Sequence, residues 1–139
     1  MRLTNLLLAF ATVSLLGNAQ AQTYVCDYPS GQRLYQYKEG YLCGYPSGQR
    51  LYHWDGEYIC RYPSGSRLHR FEDGYFLEYP SGQRLYRWDG EYICRYPSGE
   101  RMFRYDGEYL MLYPSGERLW KTDGVLPIAV VTGLATGML

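Results

Sequence analysis

Six copies of Tyr-Pro-Ser-Gly begin at Tyr28, Tyr45, Tyr62, Tyr79, Tyr96 and Tyr113, each 17 residues after the one before. The fullest copies are Tyr45–Arg61 (YPSGQRLYHWDGEYICR) and Tyr79–Arg95 (YPSGQRLYRWDGEYICR). An uninterrupted period of this length means one supersecondary unit packed against its own neighbours. Thr23–Asp27 reads as the end of a preceding truncated unit, and the last copy fails after Gly124.

Each unit holds two turn signals. Pro-Ser-Gly after Tyr predicts a type I turn, with the glycine at positive φ as a G1 bulge. Asp-Gly at Asp55-Gly56, Asp89-Gly90 and Asp106-Gly107 is the strong two-residue hairpin signal. The runs between turns, such as Arg84–Trp88 and Glu91–Tyr96, alternate in polarity and are rich in Tyr, Trp, Ile and Leu. The expected fold is all-β: a repetitive antiparallel β-hairpin meander of six 17-residue repeats, about a dozen strands. In copies one and three, Lys38-Glu39-Gly40 and Glu72-Asp73-Gly74 place the glycine one residue later. A longer loop that preserves the register is expected there.

Closing a hairpin at Asp89-Gly90 pairs Trp88 with Glu91, Tyr86 with Ile93, Leu85 with Cys94 and Arg84 with Arg95. One face then carries a Leu/Cys/Met ladder that includes Leu34, Cys43, Leu51, Cys60, Leu85, Cys94, Met102 and Met111. The other carries Tyr35, Leu42, Tyr52, Ile59, His69, Phe76, Tyr86, Ile93, Phe103, Leu110 and Trp120, with a basic row beside it. With apolar rows on both faces, the sheet must curl, double over or dimerise.

The basic row comprises Arg33, Arg50, Arg61, Arg67, Arg84, Arg95, Arg101 and Arg118. Like charges facing each other destabilise a sheet. One resolution is that Arg stems cover Tyr rings while Glu57, Glu91 and Glu108 offset charge. The other is a groove of aromatic platforms and guanidinium donors for a sugar or anionic polymer. Its candidate ligand-binding residues are Tyr35, Tyr52, Trp54, Tyr86, Trp88, Arg50, Arg84 and Arg101.

Cys26, Cys43, Cys60 and Cys94 follow the repeat period. In a hairpin meander, equivalent positions lie two strands apart, about 9–10 Å, beyond the Cα separation of about 7 Å that a disulfide spans. Free thiols buried in the ladder are expected, with Cys26 the most accessible. In the competing solenoid, with one rung per repeat, Cys26, Cys43 and Cys60 would stack about 5 Å apart. No C-x-x-C pair is present, so no metal site is expected. The serines sit in turns, His53 and His69 replace Arg and Tyr of other copies, and no phosphate loop occurs; neither catalysis nor a cofactor is expected.

The chain's ends differ from its repeats. Met1-Arg2, the apolar Leu6–Leu16 and Ala19-Gln20-Ala21 read as a signal peptide over residues 1–21, with the mature start at Gln22. The protein is therefore expected to be secreted, or periplasmic in the cell envelope. The repeat domain covers residues 22–124. Residues 125–139 form an uncharged apolar tail, VLPIAVVTGLATGML, in which Pro127 and Gly133 disfavour a long helix. The tail is expected to cap the array or cover an apolar face, with membrane contact as its alternative. Charge is balanced, 14 Lys+Arg against 14 Asp+Glu, which argues against a nucleic-acid partner relying on overall basic charge. With 17 tyrosines and 46% hydrophobic residues, the chain is a folded one.

The Tyr-x-x-Gly start followed by an aromatic and a second glycine resembles MORN-type repeats. Tyr-x-x-Gly-x-Arg-Leu is also similar to the YD repeats of Rhs-type shells. The likeness covers Tyr28–Gly124, in units shorter than either family's. The MORN resemblance implies a scaffold or binding role without catalysis. Two functions are thus expected: a scaffold that contacts a protein partner or a second copy, or a binding module for an extended cell-envelope polysaccharide or other anionic polymer.

Overall fold

The computed structural model describes residues 22–139; the expected signal peptide lies outside the described residues. Twelve antiparallel strands follow one another around a closed barrel. They are β1 (Thr23–Asp27), β2 (Arg33–Lys38), β3 (Tyr41–Gly44), β4 (Arg50–Trp54), β5 (Tyr58–Arg61), β6 (Arg67–Glu72), β7 (Tyr75–Glu78), β8 (Arg84–Trp88), β9 (Tyr92–Arg95), β10 (Arg101–Tyr105), β11 (Tyr109–Leu112) and β12 (Arg118–Asp123). The meander closes where the truncated first unit completes the last: β1 pairs with β12 from Tyr24↔Asp123 to Asp27↔Trp120. Closure leaves no edge strand open to another chain. A one-rung solenoid is excluded by the sequential antiparallel pairing.

The pairing across the Pro-Ser-Gly end matches the expected alignment at its inner row, for example Phe76↔Tyr86 and Ile93↔Phe103. Across the Asp-Gly end it is shifted by two residues, to Trp88↔Ile93 and Tyr86↔Arg95. The Asp89 carboxylate is the cause. Its Oδ1 accepts from Glu91 N at 2.9 Å and Tyr92 N at 2.7 Å, so four residues make the turn. A shift of two leaves every side chain on its original face. The expected longer loop in copies one and three is reversed. Lys38↔Tyr41 and Glu72↔Tyr75 flank two-residue turns, with φ 55° and 83° at Glu39-Gly40 and 53° and 81° at Asp73-Gly74. Positive φ at both positions is the type I′ requirement, and the register is kept.

The Pro-Ser-Gly loops are not simple type I turns. Each Tyr-Pro bond is cis, and the glycine amide reaches back four residues, as Gly82 N does to Glu78 O at 2.9 Å. The six glycines have φ of 72° to 77°, as expected. After each loop the ladder slips by one residue: Phe76↔Tyr86 is followed by Leu77↔Arg84, leaving Leu85 as a bulge. That bulge corrects both expected faces. Leu85, Met102 and Leu119 pack against the interior together with the adjoining Tyr86, Phe103 and Trp120. Cys43 and Cys94 instead face outward opposite Arg50 and Arg101.

The interior ring is Val25, Leu42, Ile59, Phe76, Ile93 and Leu110, all 0–1% exposed. A barrel of twelve strands is wider than the roughly eight whose wall side chains meet at the axis. The apolar tail fills the remaining space. Its helix α1 (Ile128–Thr136) starts directly after Pro127 and ends at Gly137, left-handed with φ 77°. Val130 and Val131 pack with Val25, Leu42 and Ile93, while Ala129 packs with Ile59 and Phe76. A helix apolar on all sides belongs in a core. Gly133 fits because a Cβ there would stand 2.6 Å from Leu139 Cγ.

The strands, four to six residues each, reach about 13–20 Å. A membrane-crossing strand needs roughly 9–11 residues. Among the described residues no helix is long and apolar enough to cross a membrane.

Two stability outcomes follow from this packing. Phe76→Ala should cost about 3–5 kcal/mol, because Phe76 is wholly buried between the wall and α1. Gly82→Val meets open space but keeps positive φ, and should cost about 1 kcal/mol or more. Urea denaturation of both variants measures these losses.

Candidate functional site: the tyrosine-arginine outer wall

Outward positions repeat as faithfully as the interior. Each even strand from β2 onward opens with an arginine (Arg33, Arg50, Arg67, Arg84, Arg101, Arg118), and the bulge turns this residue outward. Its guanidinium Cζ lies 3.8–4.1 Å from the ring centroid of an odd-strand tyrosine: Tyr24, Tyr41, Tyr58, Tyr75, Tyr92 and Tyr109. The loop tyrosine of the next repeat stands 5.7–5.8 Å away, edge-on to the first ring. The sixth such sandwich, Tyr109–Arg118–Tyr28, bridges the seam between β12 and β1. Stacking places each cation on the negative faces of rings without a carboxylate. The loop tyrosines remain 37–41% exposed, available to a partner.

The expected site residues divide between two faces. Tyr35, Tyr52, Trp54, Tyr86 and Trp88 pack against the interior cluster. Arg50, Arg84 and Arg101 stand on the outer wall in the sandwiches just described. No single groove unites them, because the bulge at Leu85 and its equivalents puts Arg84 and Tyr86 on opposite faces. The expected Arg84–Arg95 opposition is likewise replaced: Arg84 faces Leu77 and Arg95 faces Tyr86. The wall tyrosines were missed as site residues. Their signal was the strict repetition of Tyr41, Tyr58, Tyr75 and Tyr92 beside each loop tyrosine.

Between neighbouring sandwiches run equivalent grooves of about 290–390 Å³. Each is walled by a strand tyrosine, a stacked arginine and a Tyr-Pro loop, and floored by Cys60, Leu77 or Cys94. Three residues after each stacked arginine stands a second outward side chain, cationic in Arg70, Arg87, Arg104 and Lys121, and His53, Arg70 and Arg87 line these grooves. Arg70 is paired with Glu57 at 2.8 Å and Glu72 at 3.2 Å, and Arg104 with Glu91 at 2.9 Å. Lys121 is 3.5 Å from Glu108. The three repeat glutamates therefore serve this second cation rather than the stacked row.

The four cysteines are unpaired and no two lie on adjacent strands. Burial pushes the thiols of Cys43, Cys60 and Cys94 up, with Arg50, Arg67 and Arg101 respectively pulling the other way. They remain protonated thiols, poor nucleophiles. His53 stacks on Tyr41 at 4.6 Å, and His69 lies on Phe76 at 4.7 Å. Burial lowers the pKa of His69, offset by backbone contacts at Leu77 and Met138. Among the described residues no three His, Cys, Asp or Glu side chains gather to hold a metal.

Comparison of the chain with protein-family models, with curated proteins and with solved structures finds no match.

Asp55, Asp89 and Asp106 carry the pH dependence of this wall. Partial burial pushes each carboxyl up, but two backbone amides and nearby cationic side chains outweigh it and hold each below the ordinary range. A depressed folded pKa stabilises the protein above the unfolded value, about 3.9. That stability is lost as pH falls through the lower folded value. The triple variant Asp55→Asn/Asp89→Asn/Asp106→Asn should therefore flatten the acid limb of a stability–pH curve measured by urea denaturation below about pH 4.

Proposed function

We propose that the protein is an exported, non-catalytic interaction scaffold that binds a protein partner or further copies of itself through its outer wall. The observation that carries this reading is the sixfold repetition of the Tyr–Arg–Tyr sandwich around a closed, internally filled barrel. Tyrosine and arginine are, with tryptophan, the side chains most enriched among the anchors of protein contacts. Repetition adds multivalency, which raises avidity without any new contact. A closed sheet supports such an array with little ordering cost at the moment of binding. The MORN-type resemblance of the repeat points to the same class of role, and the signal-like residues 1–21 support export.

The second reading is an extended anionic or sugar polymer laid across the wall. The aligned grooves with their arginines favour it. Its discriminating residues are now on the wall and no longer include Trp88, which packs inside.

Replacing three exposed loop tyrosines together (Tyr62→Ala, Tyr79→Ala, Tyr96→Ala) tests the proposal. Sedimentation velocity over a concentration series should show assembly of the wild type, with the variant shifted to monomer by about tenfold or more in concentration. Saturable binding of an envelope polysaccharide by a monomeric wild type, abolished in the same variant, would replace the scaffold with the polymer reading. Equal behaviour of the two proteins in both assays would remove the outer wall from consideration.

A further inference from the structure

Charge is not spread evenly around the outer wall. At the Pro-Ser-Gly end, carboxylates accompany four of the six stacked arginines. Asp27 and Arg33 flank the first loop, Glu78 and Arg84 flank the fourth, and Glu100 and Glu117 directly precede Arg101 and Arg118. The second and third loops have none: Gly44 and Gln49 take those places in one, Arg61 and Ser66 in the other. Across β3–β6 this end therefore carries Arg50, Arg61 and Arg67 without a carboxylate. All three are exposed, and none has an ion-pair partner among the described residues. Arg50 and Arg67 project from the wall in their tyrosine sandwiches, while Arg61, the last residue of β5, stands at the rim.

The opposite end of the same sector is acidic. Asp55 and Glu57 lie in the loop after β4, and Glu72 and Asp73 at the turn after β6, all four exposed. Arg70 is the cation among them, shared between Glu57 and Glu72. Lys38 and Glu39, in the adjoining turn after β2, cancel. Three unpaired guanidiniums at one end thus stand against four carboxylates and one guanidinium at the other. His53 lies between them, stacked on Tyr41. The strand length of about 13–20 Å exceeds the Debye length of about 8 Å at physiological ionic strength. The two ends therefore act as separate charges of opposite sign.

We infer that the β3–β6 sector docks a second copy of the chain, side by side and antiparallel about a two-fold axis. Each basic end then faces the acidic end of the other copy. A two-fold contact is isologous, so a charged surface pairs with itself only when its two halves are complementary, as they are here. Wall-to-wall docking fits these charges better than end-to-end stacking. No Pro-Ser-Gly loop contains a Lys or Arg, and Glu100 and Glu117 at the loop ends would meet the acidic turns of the next barrel. The stacked arginines instead project sideways. Tyr45 and Tyr62, each 39% exposed, add aromatic contact at the basic end. The inference rests on the outer wall being the binding face, and it names the partner, the sector and the orientation.

Sedimentation velocity of the intact protein is the test. Association should stop at a dimer and weaken by about tenfold or more between about 50 and about 500 mM NaCl. Arg61→Glu acts at both contacts of a two-fold pair and should weaken the dimer by about tenfold or more, as should Glu57→Lys. The equivalent changes Arg95→Glu and Glu91→Lys, also at exposed positions but outside the sector, should leave it unchanged. An equimolar mixture of Arg61→Glu and Glu57→Lys should associate more tightly than either variant alone, because each brings one intact end; misfolded variants would not recover in this way. Open-ended assembly, association indifferent to salt, or equal losses in Arg61→Glu and Arg95→Glu would overturn the pairing. Tyrosine-dependent assembly in that same protein would leave the scaffold reading standing. A wild type still monomeric at about 1 mM would overturn the pairing outright, and polysaccharide binding by that monomer would remove the scaffold reading with it.

Discussion

Contact between α1 and the inner ring of the wall is what the remaining structure depends on. Twelve short strands can close only around a space too wide for their own side chains to fill. An empty apolar lumen would forfeit the dispersion contacts of every residue lining it. Val130, Val131 and Ala129 reach opposite sides of the ring from a single helix and restore those contacts. The wall needs the tail for filling, and the tail needs the wall to shield nine residues that lack any charge.

The repeat made the strands, their order and the membership of the inner row readable in advance, but not which face would be the interior. Leu42, Ile59, Phe76, Ile93 and Leu110 each stand between a tyrosine and a Cys, Leu or Met, so period two groups them on one face while leaving the opposite face apolar as well. Closure was not readable, because no residue in any repeat marks it. It arises from the sum of twelve small twists and from Thr23–Asp27 supplying the missing half-unit. The Asp-Gly pairs misled for a local reason. Asp89 captures two amides with its own carboxylate, and that competes with the two-residue turn its dipeptide favours. Asp73-Gly74 does take the two-residue turn that this dipeptide favours, as does Glu39-Gly40.

The candidate site was half legible. Arg50, Arg84 and Arg101 were recognisable as a row, and their stacking on tyrosine was among the expected outcomes. Assigning Tyr52 and Tyr86 to the same groove failed on one geometric detail. Ideal alternation puts residues two apart on one face, whereas the bulge at Leu85 inserts an extra residue between Arg84 and Tyr86. Bulges of this kind depend on the loop geometry that precedes them, here a five-residue turn rather than four. The helix was hidden for a different reason. Pro127 sits just before its first residue, where proline is harmless, and Gly133 is needed for the approach of Leu139.

Sandwiches that continue across the seam, through Tyr109, Arg118 and Tyr28, make the wall indifferent to where the chain begins. Nothing in the wall itself therefore sets how many units it contains, since each joins the next by the same contacts. The helix does. Barrel diameter grows with strand number, so a five-unit ring would exclude α1 and a seven-unit ring would leave it loose. The final 15 residues act as a gauge for the tandem array, tying the gain or loss of any 17-residue unit to the fit of a segment outside the repeats.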